Sequence, residues 1–188
     1  VSSRRISSGI PRLDHMLGGL GYYEGSTILI SGTAGSGKTT ICANFVDTAC
    51  RQGKRCLFFS FEESAPQIIR NMRSTGLDLA PWAEQALLQI HTSRPSLQGL
   101  EMHLLSMHRI IETFKPAIVV VDPISNLTAV GSGVEAKSML TRLIDFLKMN
   151  QITALFSNLS HEDASLQSSS EEILSMIDTW LCLRDMEY

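Results

Sequence analysis

Gly32-Thr33-Ala34-Gly35-Ser36-Gly37-Lys38-Thr39 matches the phosphate-binding P-loop pattern G-x-x-x-x-G-K-[S/T], and the expected architecture follows from this match. The short apolar, partly β-branched run before it, residues 26–31, predicts a buried parallel strand. The run after it, residues 40–51, contains no Gly or Pro and predicts a helix. Glycines let the backbone wrap a triphosphate with its N–H groups inward, and the start of a helix adds positive potential. The stretch therefore predicts a nucleotide site.

This site needs a cation, a metal ligand and a cradle of backbone amides. Lys38 can reach the β- and γ-phosphates, which also makes it a catalytic candidate, and the Thr39 hydroxyl can bind Mg²⁺. Asp122 ends the apolar strand predicted at residues 117–122, which is the Walker B pattern and supplies a second Mg²⁺ ligand. ATP and Mg²⁺ are therefore the expected cofactors. The candidate nucleotide-binding residues are Thr33, Ala34, Gly35, Ser36, Gly37, Lys38, Thr39 and Thr40.

Two acidic residues, Glu62 and Glu63, follow another predicted strand, residues 55–61. If the strand continued through them, they would point to opposite sides of the sheet, and one could serve as general base near the γ-phosphate. Alternatively, both acids begin the next helix, where the helix dipole favours negative charge. Position alone does not separate these interpretations. Ser157-Asn158, at the end of a further strand, could add a polar contact to the γ-phosphate.

Strands and helices alternate along the chain, which predicts an α/β fold with a mostly parallel central sheet flanked by helices. Residues 1–9 are expected to be a linker, 125–134 a polar loop and 161–172 a mobile segment. The remaining predicted strands are 87–92, 152–157 and 178–184, and the remaining predicted helices are 12–17, 66–75, 100–113 and 135–150.

Charge and composition exclude some partners. The net charge is −3, so no basic excess favours nucleic acid or an anionic membrane as the main partner. No apolar run approaches the roughly 18–20 residues that span a bilayer. The four cysteines form no C-x-x-C pair, which favours reduced thiols in a cytoplasmic protein over a zinc site. The chain does not begin with Met, so a fragment of a longer protein is expected.

Several motifs together carry a resemblance to the KaiC family of RecA-like ATPases. They are residues 8–14 with Leu17-Gly18-Gly19, the P-loop, Phe61-Glu62-Glu63-Ser64, and the strand ending at Asp122. The resemblance implies a RecA-like P-loop NTPase core that binds Mg·ATP and hydrolyses it slowly. It also implies that Glu62 and Glu63 are the catalytic glutamates, with Glu62 preferred as the base.

The chain is most similar to the second RecA-like domain of the circadian-clock members of this family. That likeness implies a hexameric ring, Ser/Thr autokinase activity, KaiB-like protein partners, and a role in circadian or stress-type signalling. Where those members have a Ser-Thr acceptor pair this chain has Leu174-Ser175, so Ser175 is the candidate phosphosite. The family continues beyond Tyr188 into further strands. The expected domains are therefore a linker with an N-terminal helix, 1–24, and a RecA-like core, 25–188, incomplete at its C-terminal end.

Two other functions use the same core. A RecA- or DnaB-like DNA-dependent ATPase would need cations in the loops at 123–136 and 157–172, but neither stretch contains Lys or Arg. DNA binding therefore ranks well below the leading hypothesis. An ATP-gated assembly scaffold, which signals through oligomer formation, is not separated from an enzyme by sequence.

Overall fold

The computed structural model describes residues 3–94, 99–160 and 174–184. These ranges hold eight strands and seven helices. The strands are β1 (Arg5–Ile6), β2 (Tyr22–Tyr23), β3 (Thr27–Gly32), β4 (Cys56–Ser60), β5 (Leu88–Thr92), β6 (Ile118–Asp122), β7 (Thr153–Leu159) and β8 (Thr179–Leu183). The helices are α1 (Pro11–Met16), α2 (Lys38–Arg51), α3 (Ala65–Ser74), α4 (Ala80–Glu84), α5 (Leu100–Phe114), α6 (Ser125–Thr128) and α7 (Gly133–Met149).

A six-stranded sheet with the order β5-β4-β6-β7-β3-β8 forms the centre of the structure. Every pairing within it is parallel. The predicted parallel α/β architecture is therefore confirmed. Strand β7 lies between the P-loop strand β3 and the strand β6 that ends at Asp122. Because the strands are parallel, their carboxyl ends share one edge of the sheet, and polar residues at those ends converge there.

Helices cover both faces of the sheet, which explains why β3 and β6 are buried at every position. On one face α5 and α7 pack their apolar sides against the strands, including Leu104, Met107, Leu143 and Leu147. Phe146 is only partly buried. On the other face α2 and α3 enclose a second cluster.

The prediction of a linker at residues 1–9 is wrong for residues 5–9; residues 1 and 2 lie outside the described residues. Arg5–Ile6 pairs antiparallel with Tyr22–Tyr23, and Ile6 and Tyr22 are buried against α2. The Arg5 guanidinium lies 3.5 Å from the Tyr23 ring centroid. This segment is held by pairing with a strand 16 residues away and by the burial of Ile6. Neither feature produces a recognisable local pattern in the sequence.

The segment after this hairpin strand docks closely onto the helix that follows the P-loop. Gly9 has φ +82°, and a Cβ there would overlap Thr48 Oγ1 and lie 2.7 Å from the Asn44 carbonyl oxygen. Asp14 accepts hydrogen bonds from the Ser7 hydroxyl at 2.5 Å and from the Ser8 hydroxyl at 2.6 Å. Gly9 thus lies against α2, and the two hydroxyl bonds tie the residues before it to α1.

The prediction of a polar loop at 125–134 is also wrong in part. Residues Ser125–Thr128 form α6 because the fully buried Leu127 gives that turn an apolar anchor. Helix α7 begins at Gly133, where Ser132 and Glu135 form a capping box that satisfies the first amides. The short helix α4 was not predicted at all. The segment predicted to be mobile, 161–172, lies outside the described residues, and within the described ranges no helix is long and apolar enough to cross a membrane.

Candidate nucleotide-binding site

The P-loop connects β3 to α2 at the carboxyl edge of the sheet. Gly35 and Gly37 have φ values of +78° and +92°, in the left-handed region where a side chain would be strained. Gly37 is the N-cap of α2, so the free amides of the first helical turn and the positive end of the helix dipole lie at the loop. This backbone is suited to hold an anion such as a phosphate group.

A cavity of about 330 Å³ lies beside the loop. Its lining consists of Ala34, Gly35, Gly37, Lys38, Thr39, Thr40, Ser60, Glu62, Glu63, Ile68, Asp122, Pro123 and Leu159. Six of the eight predicted nucleotide-binding residues thus border one space, together with both glutamates and Asp122. The other two predicted residues, Thr33 and Ser36, lie in the loop but not in this lining. Ile68, Pro123 and Leu159 were not predicted, because apolar residues at such positions carry no sequence signal of binding.

Lys38 lies at the base of the loop. Its Nζ donates hydrogen bonds to the carbonyl oxygens of Gly32, at 2.8 Å, and Thr33, at 2.6 Å. Burial lowers the pKa of Lys38 from its ordinary value, and the carboxylates of Asp122 and Glu62 oppose that shift. Lys38 is thus a cation placed between a buried acid and an exposed one.

Thr39 and Asp122 meet although their elements are distant in sequence. The Thr39 hydroxyl donates to Asp122 Oδ2 at 2.7 Å, and the Ser157 hydroxyl donates to Asp122 Oδ1. Asp122 is 7% exposed and Ser157 is fully buried. A hydroxyl beside a carboxylate at a phosphate loop is an oxygen donor set that fits Mg²⁺. Ser157 was suggested as a γ-phosphate contact, but the structure directs its hydroxyl at Asp122 instead.

Glu62 and Glu63 lie in the turn between β4, which ends at Ser60, and α3. The strand therefore does not carry them to opposite sides. They also precede the helix, whose N-cap is Ser64 and whose first turn contains no acid, so the helix-dipole alternative does not describe them. Both border the cavity.

The two glutamates are held differently. Both carboxylate oxygens of Glu63 lie 3.3 Å from the Asn71 amide nitrogen, which donates to them. The backbone of Glu63 is bound twice by the Ser60 hydroxyl, which accepts from its N–H at 3.1 Å and donates to its carbonyl at 2.7 Å. Glu62 is exposed and close enough to Lys38 to affect its pKa. Neither Asn71 nor Ser60 was predicted, because contacts across a turn leave no local pattern.

Ser175 lies far from these groups. It is exposed and precedes β8, whose start pairs with the beginning of β3, whereas the P-loop follows the end of β3. At about 3.3 Å per residue, the five steps from Thr27 to Gly32 separate the two regions by roughly 17 Å. Lys148 holds the segment by donating to the Met176 carbonyl at 2.6 Å and pairing with Asp178 at 3.1 Å.

A parallel sheet with a strand inserted between the P-loop strand and the acid-bearing strand, and with Thr39 bonded to that acid, defines a P-loop NTPase with a RecA-like core. A family model described as "ATPase: KaiC" matches residues 6–187, so the chain belongs to the KaiC ATPase family.

Curated relatives agree with this assignment. The chain is 46% identical, over 99% of its length, to "Circadian clock protein KaiC2" of Synechocystis sp. (strain ATCC 27184 / PCC 6803 / Kazusa), of which it covers 33%. It is 37% identical to "Circadian clock oscillator protein KaiC" of Thermostichus vulcanus and 36% identical to the protein of that name from Synechococcus elongatus, covering 99% of itself and 36% of each. The chain thus spans about a third of the length of the curated relatives it matches.

Proposed function

We propose that this domain binds Mg·ATP in the P-loop cavity and hydrolyses it slowly. The observation that carries the proposal is the convergence of Lys38, Thr39, Asp122 and Glu62 on one cavity of about 330 Å³. Each of these residue types has a distinct task in phosphoryl transfer, and three separate segments of the chain bring them together: the start of α2, the end of β6 and the turn after β4.

In this proposal, the loop amides and Lys38 bind the β- and γ-phosphates. Thr39 and Asp122 hold Mg²⁺, which neutralises the charge that develops on the phosphate oxygens. Glu62 accepts a proton from the attacking water, because its carboxylate is exposed toward the cavity. Glu63 is the weaker candidate, since its carboxylate already accepts hydrogen bonds from Asn71.

The proposal extends to autokinase activity. Relatives that share this domain are named circadian clock proteins, which supports a role in circadian signalling. Stress-type signalling and KaiB-like partners enter the proposal from the family resemblance alone. Ser175 is the proposed phosphosite, and its separation from the P-loop of its own chain favours transfer from a neighbouring subunit of a hexameric ring.

Incubation of the full-length protein with Mg·ATP tests the proposal, with ADP release, phosphopeptides and oligomer size read together. Glu62→Gln should spare ATP binding and lower turnover by roughly 10²–10⁴, the usual contribution of a general base. Glu63→Gln is the matched control and should lower turnover less. If Glu63→Gln has the larger effect, Glu63 is the base, and if neither variant lowers turnover, the pair is structural.

The phosphopeptide measurement tests the autokinase part separately. Phosphate on Ser175, lost in Ser175→Ala, is the expected result. Phosphate on Ser168, Ser169 or Ser170 but not on Ser175 would reject the assignment. No phosphate on any of them would leave an ATPase without autokinase activity.

A further inference from the structure

The turn between β4 and α3 presents two adjacent carboxylates to one cavity, and within residues 3–94, 99–160 and 174–184 a side chain, Asn71, is hydrogen-bonded to the carboxylate of Glu63 but none to that of Glu62. We infer that Asn71 is a positioning residue that keeps Glu63 out of the reaction and so leaves Glu62 as the single mobile carboxylate at the phosphates. This inference rests on the proposed ATP hydrolysis and adds the residue that selects between the two acids.

The hydrogen bonds of Asn71 are directed by its surroundings. Asn71 lies near the end of the second turn of α3, and its Nδ2 donates to both oxygens of Glu63 at 3.3 Å. The Arg70 guanidinium donates to Asn71 Oδ1 at 3.4 Å, which orients the amide with its N–H groups toward Glu63. A bond to both oxygens restricts rotation of the carboxylate more than a bond to one.

Two further sets of hydrogen bonds fix the backbone of Glu63 and the position of Asn71. The Ser60 hydroxyl holds the backbone N–H and carbonyl of Glu63, so the main chain cannot turn to carry the side chain away. Ser64 and Gln67 form a capping box that fixes the start of α3, and hence the position of Asn71 about two turns later. Glu63 is therefore fixed at its backbone and at its carboxylate.

Glu62 has no such restraint. Among the described residues no side chain or backbone group is hydrogen-bonded to its carboxylate, and the residue is exposed. Glu62 lines the phosphate cavity together with Lys38, and it also lines a second cavity together with Glu63 and Arg94. A freely rotating carboxylate in the cavity that holds Lys38 can approach an attacking water, whereas one bound by an amide must first lose those bonds.

The chemistry of Asn71 suits this task. An amide donates hydrogen bonds without adding charge, so it holds Glu63 ionised and away from the triphosphate without competing for the phosphates as a lysine would. If the amide is removed, Glu63 is free to rotate into the cavity. Two carboxylates then face the γ-phosphate, which weakens ATP binding by like-charge repulsion but supplies a second base.

Steady-state ATP hydrolysis by the full-length protein tests the inference through three Asn71→Ala measurements. In the Glu62→Gln background, Asn71→Ala should raise the residual kcat about tenfold. Without the Asn71 amide, the Glu63 carboxylate no longer has to break hydrogen bonds before it can accept a proton from the attacking water. In the otherwise unchanged protein, Asn71→Ala should raise the KM for ATP about three- to tenfold with little change in kcat. In the Glu63→Gln background, Asn71→Ala should change neither kcat nor KM.

Ser74→Ala is the matched control, because it removes the hydroxyl that donates to the Asn71 backbone carbonyl in the same helix without touching Glu63. It should leave kcat and KM unchanged. The inference is overturned if Asn71→Ala lowers activity equally in the Glu63→Gln background, or if it does not raise the residual kcat of Glu62→Gln. Loss of turnover in Glu62→Gln with no dependence on Asn71 rejects this inference alone, whereas a full-length protein without ATP hydrolysis rejects the proposed function and this inference with it.

Discussion

Replacement of Ser157 by Ala should destabilise the domain more than the loss of an ordinary buried hydroxyl. The Ser157 hydroxyl is fully buried and donates to Oδ1 of Asp122, a carboxylate that is itself only 7% exposed. The substitution leaves one oxygen of a buried charge without its donor, while Thr39 still donates to the other oxygen. A largely buried carboxylate oxygen that loses its donor carries a desolvation cost.

The expected magnitude follows from the charge of the acceptor. A hydrogen bond to a charged group contributes about 1.5–3 kcal/mol, against about 0.5–1.5 kcal/mol for a neutral pair. Ser26 provides the matched control: it is 7% exposed, and its hydroxyl donates to the neutral Tyr23 carbonyl at 2.6 Å. Converted to opening equilibria, Ser157→Ala should accelerate exchange roughly 13- to 150-fold and Ser26→Ala roughly 2- to 13-fold.

Amide hydrogen exchange of the full-length protein, read on peptides from β6 and β7, measures these openings within this domain. A second arm combines Ser157→Ala with Asp122→Asn, which makes the acceptor neutral. The effect of Ser157→Ala should then fall to that of the Ser26 control, giving a coupling between the two residues of about 1 kcal/mol or more. Equal effects of Ser157→Ala and Ser26→Ala, or additive behaviour in the double variant, would refute the reasoning.

Two further predictions concern the P-loop and the beginning of the chain. Lys38→Ala should abolish ATP binding detectable by calorimetry, because the phosphates lose the side-chain cation at the loop, whereas Lys54→Ala, which removes the Lys54–Glu24 ion pair instead, should leave the affinity unchanged. Unaltered affinity in Lys38→Ala would contradict the site. Gly9→Ala should lower the free energy of unfolding by about 1–2 kcal/mol because of the positive φ, and by more because the new Cβ overlaps Thr48. Gly76→Ala is the control: Gly76 has φ +89° and open space around it, so only the backbone cost applies. Equal costs in hydrogen exchange of α2 would show that residues 7–10 do not pack on that helix as described.

Much of the sheet could be predicted because its determinants are local. A run such as Val119-Val120-Val121 is buried on both faces and must be continuously apolar, and β6 was found at Ile118–Asp122, within the predicted 117–122. The predicted ends of two strands differ from the observed ones: β4 ends at Ser60 and not at Phe61, and β7 continues to Leu159 and does not end at Ser157. At strand ends the stopping point depends on pairing with neighbours, which the residues themselves do not encode.

The P-loop motif, its lysine and threonine, and the acid at the end of β6 could be identified without the fold, because glycine spacing and apolar runs are local patterns. Which side chains meet could be seen only in the folded chain. The placement of β7 between β3 and β6 turns Ser157 toward Asp122, the packing of α3 brings Asn71 to Glu63, and a hairpin partner orders Arg5–Ile6. Such contacts join residues 8 to 35 positions apart, and they depend on strand order and helix docking, which leave no periodic pattern in the chain.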